Sequence, residues 1–482
     1  MNKTYLFYDL ETTSRNHSFG QILQFAAIRT DLELNELERH KIRVKLNVDA
    51  IPDPEAVLTH KMTLAEMHEG ESEYDAIKKI HALVNYPGTI SGGYNSLKFD
   101  DLFLRFSFYR NFLDPYSHQW DKGCGRFDIM QMAIYFYVSS KRDIIQWVKD
   151  EEPSLKLEHL KELNQLSTGS SHNAMVDVEA TLALAKRFFA ERSTWNYVME
   201  YFNKATELQK MQKNNTCYNP NSVALMIGKS SKTDSFQAPV MCLGDHKAYR
   251  NQTRWLRLDK PDLSELGLKD LQESGYIVSK KVAESGFVLP YEARFLERVS
   301  PEKKAQTESN LEWLKNNPHD FEVIKEHYTT LLYPEFENVD VDALLYRGFI
   351  SNEDKELQKK FHTVADDLKA KIIEEFRDTR LKDLSIRLMG RHFPEHLPAV
   401  YRQGFQEYVQ SVYAGGESEM HFDYRGKERR LSYSQMLKQI QEIRTDETRA
   451  ELIPTDLALL SELETITPPV MSVDHNKMFE IL

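Results

Sequence analysis

The sequence predicts a three-part protein: a mixed α/β N-terminal third, a small β-rich middle and a charged, helical C-terminal third. Three observations predict it. Up to about Arg192, short apolar runs that end in turn residues alternate with stretches whose apolar residues recur at helical spacing. Between Ser222 and Leu289 the apolar runs are short and separated by turn signals such as Leu243-Gly244-Asp245. Beyond Gly348, apolar positions three and four apart dominate a highly charged background. A length of 482 residues agrees, since domains of ~150 residues predict about three.

Taken in order, Thr4–Tyr8, Gln24–Arg29 and Lys41–Leu46 read as strands. Ile77, Ile80, Leu83 and Val84 mark a helix over Asp75–Asn85. Thr89–Ser91 reads as a strand running into Gly92-Gly93-Tyr94-Asn95. Asp101–Phe112 and Phe127–Tyr137 read as buried helices, and Leu155–Leu163 and Ala174–Ala190 as amphipathic ones. Lys210–Asn221 is polar and aperiodic and reads as a loop. Glu302–Tyr333 turns helical again. Leu357, Phe361, Val364, Leu368, Ile372 and Phe376 predict one helix over Glu353–Arg377, and Tyr401–Val412, Tyr433–Ile443 and Thr448–Thr465 continue the pattern. His392-Phe393-Pro394 breaks it.

Lys plus Arg number 62 and Asp plus Glu 74, a net charge of −12. This balance does not advertise a nucleic-acid binder, yet a local basic groove or bound cations override a bulk charge. Three cysteines (Cys124, Cys217, Cys242) without CxxC spacing exclude a disulfide framework and point to a reducing compartment. Asp9 and Glu11 interrupt any apolar N-terminal stretch, so no signal peptide is expected. The apolar run Ile129–Ser140 is too short to cross a bilayer. The expectation is a cytoplasmic protein with no membrane contact.

Three clusters carry chemistry. Asp9-Leu10-Glu11 ends an apolar strand, where positions i and i+2 point to one face. Two adjacent carboxylates repel, and a hard divalent cation resolves the repulsion; the alternative is a solvated strand end. Asn95-Ser96-Leu97-Lys98-Phe99-Asp100-Asp101 follows a strand and opens a helix. A carboxylate there either faces the first strand's end or serves the helix dipole. Ser171-His172-Asn173-Ala174-Met175-Val176-Asp177 places a His just before a helix and an acid in its first turn. His172 suits general-base work on a water, or is a surface polar residue.

D-x-E, then N-x-x-x-F-D, then H-x-x-x-x-D, in this order and spacing, resemble the three motifs of the DEDDh 3′→5′ exonuclease superfamily. The likeness narrows with Phe7-Tyr8-Asp9-Leu10-Glu11-Thr12, Gln24-Phe25-Ala26-Ala27-Ile28-Arg29, Phe108-Tyr109-Arg110-Asn111-Phe112, Asp114-Pro115-Tyr116, Leu157-Glu158-His159-Leu160 and Arg391-His392-Phe393-Pro394. These residues resemble the bacterial exodeoxyribonuclease I family, most strongly over residues 5–190.

The resemblance implies a ribonuclease-H-like α/β exonuclease domain over residues 1–192, an SH3-like domain over 193–348 and a C-terminal helical domain over 349–482. It implies a processive, single-stranded-DNA-specific 3′→5′ exonuclease of DNA repair, recombination and mismatch repair that releases 5′-mononucleotides. Asp9, Glu11, Asp100 and Asp177 would hold two Mg²⁺ (or Mn²⁺) ions, and His172 would be the base. Glu11, Arg105, Trp120, Lys156 and Arg391 would contact substrate. Lys156 stands where the family has Arg, which keeps the charge and loses the fork. Arg347, His392, Lys427, Arg429 and Arg430 are further backbone-contact candidates, Lys427–Arg430 being otherwise a solvated charge run. Gln131 and Ile134 replace the family's Asp and Arg, so those two roles do not transfer. The partners implied are single-stranded DNA and the C-terminal tail of single-stranded-DNA-binding protein, and the chain would be a monomer. An RNA-trimming exonuclease and a non-catalytic nucleic-acid clamp are the competing readings.

Overall fold

The computed structural model describes residues 3–139, 142–149, 152–167, 173–213, 222–228, 236–261, 263–415, 421–449, 452–468, 470–471 and 479–480. The N-terminal region is built on a mixed sheet of β1 (Thr4–Thr12), β2 (Ile22–Thr30), β3 (Glu36–Arg43), β4 (Thr89–Gly93) and β5 (Gly125–Asp128), in the order β3-β2-β1-β4-β5. β1 runs antiparallel to β2 and parallel to β4, which is parallel to β5. The pleat sorts β1 into two sets. Tyr5 and Phe7 face the core shared with helices α2 (Ile129–Val138) and α3 (Ala174–Phe189). Leu6, Tyr8 and Leu10 face the helix Glu73–Val84 and part of α1 (Asp100–Arg110). Asp9 and Glu11 therefore share a sheet face with α3.

β4 threads between β1 and β5 at a spacing only glycine permits. A Cβ on Gly92 would lie 2.1 Å from the Phe127 carbonyl oxygen, and one on Gly93 2.2 Å from that of Tyr8. α1 is buried on nearly every side, its charged residues included, because it is wedged between two cores. Phe103, Leu104 and Phe108 pack under the sheet, whereas Phe106 and Tyr109 pack against the C-terminal helices.

The middle region holds a second, antiparallel sheet: β6 (Val223–Ile227), β7 (Gln237–Asp245), β8 (Gln252–Arg257), β9 (Ile277–Lys281) and β10 (Phe287–Pro290), in the order β9-β8-β7-β6-β10. Leu225, Ile227, Phe287 and Leu289 join the core of α2 and α3. Met241, Leu243 and Leu256 pack on the helices Pro301–Asn316 and Pro318–Thr330. The C-terminal helices Asn352–Phe361, Asp366–Glu375, Thr379–His392, Ala399–Ala414, Tyr433–Thr445 and Pro454–Leu463 close around Phe361, Leu384, Leu388, Val409, Ile440 and Leu460. Among the described residues, no helix is long and apolar enough to cross a membrane.

Several elements differ from their sequence reading. The third strand is Glu36–Arg43, not Lys41–Leu46; it is a sheet edge of mostly exposed or half-buried residues and shows no apolar signature. Phe127 and Asp128 end a strand, and the helix starts at Ile129 because Asp128 caps it. Leu243-Gly244-Asp245 is not a turn but the end of β7. Gly244 sits at φ +114° beside a register shift in the pairing with β8. Lys210–Lys213 belongs to the helix Lys204–Lys213, and 214–221 lies outside the described residues. The single helix expected over Glu353–Arg377 is two. Lys369 Nζ donates to the carbonyls of Phe361 (2.7 Å) and Val364 (3.2 Å), so a tertiary contact caps the break that periodicity cannot show. The last helix begins at Pro454, not Thr448, with proline in its first turn.

Candidate active site

Asp9 and Glu11 project from β1 toward α3, whose first turn carries Asp177. Asn173 caps that helix, accepting from the Met175 amide. Asp100 opens α1 and is 3% exposed; its carboxylate accepts from the backbone amide of Leu10, between the two acids of β1. The three segments thus converge on the C-terminal end of β1.

The electrostatics follow from this placement. Burial first, then the charges of Asp100, Glu11 and Asp177, push the Asp9 carboxyl well above the usual range. Burial and Asp177 push Glu11 up to about 8. Asp100 is raised well above its ordinary value by burial, with Asp128 and Glu11 adding to it. Asp9, Glu11 and Asp100, each raised by burial and by carboxylate neighbours, form with Asp177 a set of hard oxygens of the kind divalent cations take. Among the described residues, no three carboxylate, imidazole or thiol groups stand close enough together to hold a metal ion. His172 lies outside the described residues.

The neighbouring aspartate has the opposite environment. Asp101 is 1% exposed and binds Arg105, Arg126 (2.8 Å) and His118 Nε2 (2.7 Å). Against the burial, the two guanidiniums and the His118 hydrogen bond hold its carboxyl far below the usual range. Glu284, on the β9–β10 connection, binds the same Arg105 (2.9 Å) and Arg126 (3.2 Å). The amide of Gly286 donates to Gln131 Oε1 at 2.8 Å. The middle sheet is thereby latched to the N-terminal region beside Asp101. No sequence signal marks Glu284, which sits in an ordinary polar turn.

The substrate-contact candidates divide. Trp120 is 68% exposed between two short 3₁₀ turns, so core packing does not explain it. Lys156 is exposed, with Glu158 3.4 Å from its ammonium. Arg105 is buried and held by Asp101 and Glu284, with its guanidinium 5.7 Å from the Tyr116 ring; it is not a free surface arginine. Arg347 is exposed and donates to the Phe336 carbonyl.

Arg391 is a correction. Its side chain is buried between Asp49 (2.6 Å) and Asp342 and is 3% exposed. Arg430 is buried on the same Asp342, and His392 is buried 3.8 Å from Glu73. These side chains join the first region to the C-terminal helices and are not placed to touch a DNA backbone. The run Lys427–Arg430 therefore splits. Lys427 is exposed, Arg429 lies 4.0 Å over the Phe422 ring, and Arg430 is interior.

Comparison with known proteins agrees with this architecture. The exonuclease family profile matches residues 6–185, and that of the exonuclease I C-terminal domain matches 339–465. Exodeoxyribonuclease I of Escherichia coli K12 is 30% identical over 437 residues, covering 85% of this chain and 90% of that protein. A zinc-bound E. coli exonuclease I–single-stranded-DNA complex superposes with a TM-score of 0.81 at 25% identity, covering 96% and 98% of the two chains. A structure of exonuclease I with single-stranded-DNA-binding protein and the inhibitor CFAM gives 0.78 at 26%, with the same coverage. The likeness in sequence and in fold runs along nearly the whole length of the chain: the chain belongs to the exodeoxyribonuclease I family.

Proposed function

We propose that this enzyme shortens single-stranded DNA from its 3′ end, releasing 5′-mononucleotides processively by phosphodiester hydrolysis. The observation that carries the reading is the convergence of Asp9, Glu11, Asp100 and Asp177 from three chain segments. These acids would hold two Mg²⁺ ions, with Mn²⁺ as the alternative. When bound, the ions neutralise the acids, polarise the scissile phosphate and make a water nucleophilic near neutral pH. His172 takes the proton from that water. Asp9 and Glu11 are held rigidly because β1 is a central strand, and Asp100 because α1 is buried on both flanks.

Single-stranded DNA is supported by the solved complex with that ligand and by an exposed aromatic, Trp120, and an exposed cation, Lys156. Bases stack on such aromatics without sequence preference. We read residues 1–192, 193–348 and 349–482 as exonuclease, SH3-like and helical domains, the second around β6–β10. The solved complex with single-stranded-DNA-binding protein supports that protein's C-terminal tail as a partner of this one. A cytoplasmic monomer acting in DNA repair, recombination and mismatch repair completes the reading.

The test is a gel assay on 5′-labelled single-stranded DNA, matched duplex and RNA, with Mg²⁺ or EDTA. Stepwise shortening of single-stranded DNA alone, abolished by EDTA, is the expected result. Shortening of RNA instead would make it an RNA-trimming enzyme. Binding without cleavage in either metal would make it a clamp.

A further inference from the structure

Asp128 is the last residue of β5 and is 0% exposed. Its carboxylate accepts four backbone N–H groups from two segments. Two open α2, Met130 (2.9 Å) and Gln131 (3.4 Å). The other two belong to the loop between β4 and α1, Asn95 (3.0 Å) and Leu97 (3.2 Å). The first pair is an ordinary helix cap. The second pair is not, because it clamps a loop that no strand or helix holds.

That loop delivers Asp100. α1 has no side-chain cap of its own: Phe99, at its N-cap, makes no such bond. Asn95 is in the left-handed region at φ +62°, and its Oδ1 is buried without a hydrogen-bond partner among the described residues. Left alone, such a loop has other conformations of similar energy. Ser96 adds local ties: its hydroxyl donates to the Phe127 carbonyl (3.3 Å) and accepts from the Gly93 amide (2.9 Å). Its carbonyl accepts the Asp101 amide at 2.8 Å. The start of α1 is thus fixed through residues 95–97, and among the described residues Asp128 is the carboxylate that binds two of their amides.

We propose that Asp128 is a positioning residue: by holding residues 95 and 97 against the end of β5, it sets where Asp100 stands relative to Asp9 and Glu11. Removing it leaves the acids present but misplaced. The inference rests on reading Asp100 as a metal-binding acid.

The experiment compares Asp128→Asn with wild type and with Asp100→Asn. Asparagine keeps the volume and one acceptor oxygen, and turns its NH₂ toward one of the amides. The expected result is a loss of about 10–100-fold in kcat and in Mn²⁺ affinity by calorimetry, the usual cost of disturbing the support of a metal ligand. The KM for single-stranded DNA should stay within about threefold, since a misplaced acid leaves strand-binding groups untouched. A folded Asp128→Asn enzyme with wild-type kcat and Mn²⁺ affinity, beside an inactive Asp100→Asn, overturns the positioning role alone. An active Asp100→Asn overturns the metal-site reading instead. Hydrogen exchange on the wild-type protein makes the test independent of whether the variant folds. The Asn95 and Leu97 amides should exchange as slowly as those within α2; exchange at open-loop rates would overturn the clamp.

Discussion

Asp100 and Asp101 are adjacent on one helical turn, and the fold drives their carboxyls in opposite directions. Asp100 faces other acids and is raised; Asp101 faces Arg105, Arg126 and His118 and is lowered. Two consecutive buried aspartates thus do two jobs, one chemical and one architectural. Asp100→Asn should abolish hydrolysis with the metal-free unfolding midpoint unchanged or higher, because it removes a like-charge repulsion. Asp101→Ala should destabilise by about 3–5 kcal/mol, the cost of stranding buried partners. Denaturant unfolding of both variants separates the two roles, and a destabilised Asp100→Asn would contradict this division.

The metal-free protein should lose stability as pH rises. Glu11 binds its proton more tightly folded, at about 8, than at its ordinary 4.5. The contribution is full below about 4.5 and disappears as pH climbs through 8. Divalent ions stabilise the ionised form, by about 2.7 kcal/mol per site at one hundred times Kd. Thermal unfolding in EDTA and in Mg²⁺ at pH 6 and 8 checks this. The gap between the two midpoints should widen at the higher pH.

Arg391 and Lys156 should separate structure from DNA contact. Arg391→Ala leaves Asp49 and Asp342 facing each other in the interior, so it should cost about 3–5 kcal/mol of stability. Its salt dependence of DNA binding should equal the wild-type one. Lys156→Ala should leave the unfolding midpoint alone and reduce the slope of log K against log salt by roughly 0.7, one phosphate contact on a single strand. Fluorescence titrations over a range of salt concentrations read this directly.

Trp120→Ala should weaken oligonucleotide binding by about 1–3 kcal/mol if a base stacks on it. Stability should not change, because the ring packs against no core. Equal affinities of variant and wild type would remove Trp120 from the strand path.

His172→Ala should slow single-turnover cleavage by about 10²–10⁴-fold, the usual contribution of a general base. An unchanged rate would place the base on another residue.

The elements that carry the acids were legible in the sequence because each acid obeys a local rule, whereas their reading as one metal-binding set rested on the resemblance. Asp9 and Glu11 follow the period of two in a strand, and Asp100 and Asp177 fall in first helical turns. The three-part layout was legible because buried apolar residues repeat at the period of their element. What stayed hidden depends on contacts between residues distant in the chain. Arg391 has the charge of a surface residue, and only the placement of Asp49 and Asp342 buries it. Arg105 shows no sign that Glu284 reaches it from another sheet. The helix break after Phe361 is set by Lys369, whose spacing looks like an ordinary exposed lysine. Asp128 resembles any helix cap until the loop beside it is seen to share the carboxylate.

The most direct test of the account is Asp177→Ala, followed on 5′-labelled single-stranded DNA in Mg²⁺ with strand binding measured alongside. Asp177 is far in sequence from the other acids and is joined to them only by the fold. The account predicts that cleavage disappears while DNA affinity stays near the wild-type value. A fully active Asp177→Ala enzyme would contradict the convergence of the four acids on one catalytic site.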